Sequence, residues 1–352
     1  MRVIVTGGAG FVGSWIAEEL VRLGHDVLVL DDLSGGSEKN VPEGAAAKFF
    51  DIRNRERTLA AFQAFRPELV YHLACHPHEG LSQFMPVDIA SSVLMGSLSV
   101  FSAAVNTDVG RVVNFSSMAR YGNAGGHHAP FSECDPAIPV DVYGAAKYAA
   151  ERSLNAMGEA HGIEHVHMVP HNVIGPRQCT SDAYRNVLAI WCTRLHHGLP
   201  PVIFGDGHQM RALSDIRDSL PCYIKAGLQP MSEFPCFCDS SYHDTINGEA
   251  INIGGAEPHT INDLARMVLE EWGSDLEPIH TGDRLCEVKL AYVTIRKSED
   301  MLGFRQTFTV RESIRDFVSW AKEQGPQEFR YLKRSEVEII RNMPEVWQEG
   351  LT

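Results

Sequence analysis

The first 115 residues alternate short β-rich runs with stretches whose apolar residues recur at helical spacing. Val3–Val5, Asp26–Leu30, Ala47–Phe50, Leu69–His72 and Arg111–Ser116 read as strands, and Val12–Leu23, Arg55–Phe65 and Ile89–Ala104 as the helices between them. Strands alternating with helices are what a parallel sheet with right-handed crossovers requires, so the pattern predicts an α/β, doubly wound, Rossmann-like architecture. A sixth unit follows, with a helix starting near Val142 and a strand at His165–Val169. Past Asn172 the pattern becomes less regular, with Pro200-Pro201 and a Pro- and Cys-rich stretch from Gln229 to Ser241 that reads as a loop or insertion. Gly248–Ile253 then reads as a strand and Ile261–Trp272 as an amphipathic helix. This organisation predicts a dinucleotide-binding domain over 1–169, completed by part of 210–255. A smaller α/β substrate lobe is expected from the discontinuous segments 170–209 and 256–352, ending in a helical tail over Gln324–Thr352 that packs on the body.

Composition narrows the function classes. The 352 residues are 44% hydrophobic and 22% charged, the profile of a globular protein, and the formal charge of −14 disfavours broad attraction to nucleic acid or anionic lipid. An anionic ligand needs a local basic site. No apolar run approaches the roughly 18 residues of a membrane span. The start Met1-Arg2-Val3-Ile4-Val5-Thr6 runs straight into glycines without signal-peptide features, so a cytoplasmic protein is expected. The eight cysteines contain no Cys-x-x-Cys pair and are expected as reduced thiols, with Cys236-Phe237-Cys238 incidental. His127-His128 and His196-His197 are adjacent rather than helically spaced, and His161 and His165 border a strand, so no metal site is expected.

Thr6-Gly7-Gly8-Ala9-Gly10-Phe11-Val12-Gly13 places Gly7-x-x-Gly10-x-x-Gly13 between the first strand and the first helix. Glycines there allow a tight turn and close approach of a pyrophosphate to a helix N-terminus, where free N–H groups and the helix dipole favour negative charge. Asp31-Asp32 stands about 20 residues on, at the end of the second strand, where a carboxylate binds the adenosine ribose and repels a 2′-phosphate. NAD is therefore favoured over NADP, with Asp31 the first choice for the ribose. Asp51-Ile52, after the third strand, is placed to edge the adenine. Tyr143-Gly144-Ala145-Ala146-Lys147 is the second informative cluster, because a four-residue offset on a helix puts phenol and ammonium on one face. A free tyrosine titrates near about 10; Lys147 and the positive nicotinamide are expected to lower that value and make the phenol a base. Ser117 ends a strand at the sheet's carboxyl edge and is placed to hydrogen-bond a reacting sugar oxygen.

Together these motifs resemble the extended short-chain dehydrogenase/reductases of the nucleotide-sugar epimerase and dehydratase group, over roughly residues 1–320. The likeness rests on the segments at 6–13, Asp-Asp-Leu-Ser at 31–34, Asp-Ile-Arg at 51–53, Tyr-His-Leu-Ala at 71–74, Ser-Ser-Met-Ala-Arg-Tyr-Gly at 116–122 and Tyr143/Lys147. It continues in Pro-His-Asn-Val-Ile-Gly-Pro-Arg-Gln at 170–178, Phe-Gly-Asp-Gly-His-Gln-Met-Arg at 204–211 and Ile-Asn-Ile-Gly-Gly at 251–255. The resemblance implies Ser117, Tyr143 and Lys147 as catalytic residues. For the cofactor it implies Gly7, Gly10, Phe11, Val12, Gly13, Asp31, Asp32, Ser34, Asp51, Ile52, Leu73, Ala74 and Pro170, with Tyr143 and Lys147. For a nucleotide-diphosphate sugar it implies Asn172, Asn186 and Ser117, with Arg211 and Arg284 clamping the pyrophosphate, although Arg284-Leu285-Cys286-Glu287-Val288 keeps only part of the family's Arg-Pro-Gly-Glu-Val. It also implies a homodimer through the helices at about 89–105 and 142–157, whose apolar residues could equally be core.

Dehydratases of the group resemble Thr-Asp-Glu where this chain has Ser117-Met118-Ala119, which argues against elimination of water. What remains is oxidation at C4, ending in 4-epimerisation if the hydride returns or in a 4-keto product if it does not; a non-catalytic NAD sensor is disfavoured by the intact Ser117, Tyr143 and Lys147. Departures cluster where the sugar is expected: Cys75-His76-Pro77-His78-Glu79-Gly80-Leu81-Ser82, Met118, Arg120 and His171. His76, His78 or Glu79 could bind extra hydroxyls, or one histidine could act as a second acid/base; polar loop residues are an equal reading. The combination resembles a branch that includes enzymes acting at C4 of nucleotide-activated heptoses. The family's Asn-Val-x-Gly signature is replaced by Ser91-Ser92-Val93-Leu94-Met95-Gly96.

Overall fold

A computed structural model describes residues 1–123, 129–234, 246–348 and 350–351. His127-His128, Cys236-Phe237-Cys238 and most of the expected loop at 229–241 lie outside the described residues. The central sheet has seven parallel strands: β1 Arg2–Thr6, β2 Asp26–Asp31, β3 Ala46–Phe49, β4 Leu69–His72, β5 Arg111–Phe115, β6 Glu164–Pro170 and β7 Ala250–Ile253. Their spatial order is β7-β6-β5-β4-β1-β2-β3, with Ile4 of β1 in register with Leu28 of β2 and Val70 of β4. The chain order reverses between β1 and β4, the switch point at which doubly wound sheets bind nucleotides beyond the strands' carboxyl ends.

Alternation along β1 sends Val3 and Val5 into one core and Ile4 into the other. The first core is closed by α1 (Phe11–Arg22) and, later in the chain, by the helix Ile216–Leu228. The second is closed by α2 (Arg55–Phe65), α3 (Pro86–Asn106) and α4 (Val142–His161). By length and mean hydropathy α3 is apolar enough to cross a membrane although it holds no uninterrupted apolar run of that length, and its most apolar window is 56% buried in this packing. α3 is longer than the predicted Ile89–Ala104 and contains a π-helical turn at Ser91–Met95, where the family signature is replaced. Just beyond it, Gly96 lets Ile52 close on the helix: a Cβ there would lie 2.9 Å from Ile52 Cδ1.

After β6 the chain builds a further core from α5 (Val187–His196), α7 (Ile261–Trp272) and α9 (Val310–Gln324), while α6 (Ile216–Leu228) and α8 (Arg296–Leu302) pack on the first core of the sheet. Trp191, Leu264 and Phe317 form the centre of the further core, contributed by α5, α7 and α9. α7 and α9 each open on a capping box, Thr260 with Asp263 and Thr309 with Glu312; the first accounts for the legible start at Ile261, while α9 was not anticipated. The predicted helical tail is not one. Beyond Gly325 only Glu345–Gln348 is helical among the described residues, because prolines at 326 and 344 and the glycine at 325 interrupt the pattern. The tail instead lies across the open edge of the molecule, burying Met343 and Trp347.

Candidate active site

A cleft of 790 Å³ opens at the carboxyl end of the sheet, and every residue assigned above to cofactor, catalysis or substrate lines it. Its floor is the glycine turn. Gly7 adopts φ +70, and a Cβ there would lie 2.8 Å from the Ala74 amide nitrogen; at Gly13 a Cβ would come within 2.1 Å of the Gly7 carbonyl oxygen. Only glycine lets α1 start this close to β1 and β4. Gly10 caps α1 without a side-chain bond, so the N–H groups of the first turn remain available to an anion. This cradle, with carboxylates beside it, fits a dinucleotide diphosphate and adenosine ribose.

Asp31 has a structural task as well. Its Oδ2 accepts from Ala9 N at 3.0 Å and its Oδ1 from Leu33 N at 2.8 Å, pinning the glycine turn to the end of β2, while burial raises its pKa. Asp32 is more open; its Oδ1 accepts from Ser34 N and Oγ, and its pKa is lowered by His76 and Ser34 against the effect of burial. His76, expected at the sugar, is turned to this end instead. Its Nδ1 lies 2.9 Å from Asp88 Oδ2 and its Nε2 3.9 Å from Asp32 Oδ2, and hydrogen bonding to Asp32 leads the causes that raise its pKa. Arg53 continues the chain of charges, binding Asp88 at 2.7 Å and Asp51 through Nε at 2.7 Å. The carboxylates at the end of β2 and in the first turn of α3 thus recruit the histidine electrostatically, a long-range arrangement with no local sequence signal.

Ser117, Tyr143 and Lys147, the expected catalytic group, sit where β5 meets α4. Ser117 follows β5, and its Oγ accepts from Ala119 N at 3.2 Å. Gly144 allows α4 to close on this turn, since a Cβ there would be 2.5 Å from the Ala119 carbonyl oxygen. Lys147 donates to the Phe115 carbonyl at 2.7 Å and stands 5.8 Å from the Tyr143 ring centre. Burial pushes the Tyr143 pKa well above its ordinary value, Cys75, Glu79 and Asp141 add to the rise, and hydrogen bonding with Ser117 opposes it. Burial thus opposes the lowering expected from Lys147 together with the positive nicotinamide.

Asp141, which the sequence reading passed over, caps α4 by accepting from Gly144 N at 2.7 Å. Its position just before Val142 was the available signal. Burial pushes its pKa up to about 7, with Glu79 reinforcing the rise and Arg284 opposing it. The folded state therefore binds a proton that the unfolded chain releases near about 4, so this group's contribution to stability falls as pH rises from about 4 to 7. Asp141→Asn keeps a capping oxygen and removes the titration. The variant's melting temperature relative to wild type is expected to climb across that window and level off above it; a difference independent of pH would contradict the assignment.

At the far end of the cleft Arg211 and Arg284 share Glu287: Arg284 Nε donates to Oε2 at 2.8 Å, and Arg211 pairs with the other oxygen. The incomplete motif around Arg284 thus places its arginine and its glutamate in contact, with Arg211 on the same carboxylate. Asn172 and Asn186 both adopt positive φ, 38° and 61°, a conformation asparagine tolerates better than most residues and one concentrated at functional sites. Glu79 lies near Tyr143 and Asp141, as its electrostatic effect on both shows, while Met118 packs against the cluster of Tyr121 and Phe131. The tail supplies residues no motif marked: Trp347 meets Tyr184, Phe84 and Phe204 edge-on at 5.3, 5.9 and 6.0 Å and roofs this end.

Residues 3–254 match the NAD dependent epimerase/dehydratase family, and the chain belongs to it. It is an enzyme family with NAD as cofactor, in accord with the glycine cradle. The chain is 29% identical over 325 residues to a putative UDP-glucose 4-epimerase of Methanocaldococcus jannaschii, covering 92% of this chain and 99% of that one. The structure of a UDP-glucose 4-epimerase of Thermotoga maritima with UDP-glucose superposes with a TM-score of 0.83 at 27% identity, covering 92% of this chain and 99% of that one. That of Thermus thermophilus UDP-glucose 4-epimerase with NAD gives 0.81 at 30% identity, with the same coverage.

Proposed function

We propose that the protein is an NAD-dependent nucleotide-diphosphate-sugar 4-epimerase acting through a transient 4-keto sugar. The observation that carries this reading is the convergence in one cleft of the glycine cradle, the Ser117–Tyr143–Lys147 group and the two arginines on Glu287. The relatives named as UDP-glucose 4-epimerases support reaction at C4.

Bound NAD supplies a hydride acceptor for C4 and a positive charge near the phenol. Asp31 and Asp32 hold the adenosine ribose, and Lys147 the nicotinamide ribose. Tyr143 takes the proton of the C4 hydroxyl while Ser117 donates a hydrogen bond to the 4-oxygen. Arg211 and Arg284 grip the diphosphate with planar forks, leaving the sugar free to turn and present its other face. Tyr143 then returns the proton. Ser117-Met118-Ala119 offers no carboxylic acid pair for elimination. For the sugar we favour a nucleotide-activated heptose, on the sequence likeness at 79–82, 116–122 and 170–178. A homodimer through α3 and α4 is supported by Val87 and Met95, 72% and 56% exposed on α3.

One observation favours a second reading. The Trp347 roof narrows the sugar end, and a ketone unable to turn there would leave, making the protein a nucleotide-sugar 4-dehydrogenase. Incubation with UDP-, GDP- and ADP-hexoses and heptoses, followed by NMR and by absorbance of NADH, separates the two. A C4-inverted sugar without net NADH is the expected result. A 4-keto product with NADH supports the dehydrogenase, and no turnover contradicts both.

A further inference from the structure

Arg185 lies in the substrate-side segment between β6 and α5, outside every motif read from the sequence. Its Nε donates to Asp182 Oδ2 at 3.0 Å. That carboxylate is itself fixed, by Tyr184 N on Oδ1 at 2.9 Å and by His78 Nε2 on Oδ2 at 2.8 Å. The guanidinium is therefore held by one edge, and among the described residues its two terminal amino groups have no hydrogen-bond partner. They reach across the cleft: Nη2 lies 3.1 Å from where a Cβ on Gly35 would sit. Gly35 belongs to the rim of the dinucleotide site, because its neighbour Gly36 is pressed on the glycine turn, where a Cβ would be 2.7 Å from the Ala9 carbonyl oxygen, and Ser37 N donates to that oxygen at 3.0 Å.

The charges around this rim make the arrangement informative. Asp31 and Asp32 are acidic, Arg53 is bound to Asp51 and Asp88, and Arg177 to Glu18. Arg185 alone among these three arginines presents unpaired donors to the cleft. An arginine anchored through Nε, with its Nη pair free, matches two oxygens of a phosphate.

We infer that Arg185 clamps the diphosphate of bound NAD, with Asp182 as its positioning residue. Cofactor retention then depends on a segment of the substrate side, and the claim stands whether the enzyme inverts C4 or only oxidises it.

Calorimetric titration of NAD into cofactor-stripped protein tests this, with UDP titrated into the NAD-loaded form as the comparison. Arg185→Gln is expected to weaken NAD by roughly 10- to 100-fold, the range for a lost hydrogen bond to a charged group, and UDP by less than about threefold. Asp182→Asn is expected to give a smaller loss in NAD affinity alone. Gly35→Val, whose side chain would meet the Arg185 tip, should weaken NAD in the wild type by more than in the Arg185→Gln background. Unchanged NAD affinity in Arg185→Gln, additive effects with Gly35→Val, or loss of UDP binding with NAD intact would each overturn the assignment. Should Arg185→Gln unfold by circular dichroism, Arg185→Lys decides: it keeps the charge without the fork, and wild-type NAD affinity there overturns the clamp.

Discussion

Tyr143→Phe is expected to lower kcat by about 10²- to 10⁴-fold, the range for a positioned proton-transfer group, with KM nearly unchanged and NAD still bound. Phenylalanine keeps the ring that packs with Leu81, Ala119 and Ala146 and removes only the oxygen. The site is 4% exposed and disfavours an anion, so the fold loses little and melting should stay within a few degrees of wild type. Steady-state kinetics together with the cofactor content of the purified variant check this. Activity within threefold of wild type would remove Tyr143 from the chemistry, because its phenol is the one that hydrogen-bonds with Ser117 among the described residues.

Gly13→Ala has the second largest expected effect, on the cofactor rather than on the proton. The added Cβ would sit 2.1 Å from the Gly7 carbonyl oxygen and 2.9 Å from Gly8 Cα, both backbone atoms, so a side chain cannot swing aside to relieve it. The turn or the helix has to move. Overpacking of this kind costs about 1–3 kcal/mol of stability, and displacement of the first-turn N–H groups removes the diphosphate cradle. The variant should purify without NAD and melt lower by several degrees, whereas Gly10→Ala, whose Cβ would meet the same oxygen at 3.2 Å, should be milder. Full NAD occupancy in Gly13→Ala would show that the cradle lies elsewhere.

Local chemistry made much of this molecule readable. Strands with continuous apolar runs, the helix Ile261–Trp272 behind its capping box and the glycine turn each carry their signal within a few residues. Tyr143 and Lys147 share one face of α4 because of helical periodicity alone. The features that escaped are those set by distant partners. His76 answers to Asp32 and Asp88, on separate elements, and so left the sugar end to which its loop position pointed. The Tyr143 phenol responds to burial that no four-residue spacing encodes. Arg185 has meaning only beside Gly35, which lies across the cleft. The tail misled for another reason: its apolar residues were read as a helical stripe, yet Met343 and Trp347 are anchors of an irregular strap over the cleft.

The most direct test of the central claim is the fate of hydrogen at C4. A nucleotide sugar deuterated at C4, drawn from whichever hexose or heptose the panel shows to turn over, is incubated with the NAD-loaded protein and analysed by NMR and mass spectrometry. Removal and return of the same hydride predicts a C4-inverted product that keeps its deuterium, with no net rise in NADH absorbance. A 4-keto product, with the deuterium carried off on reduced cofactor, would contradict epimerisation.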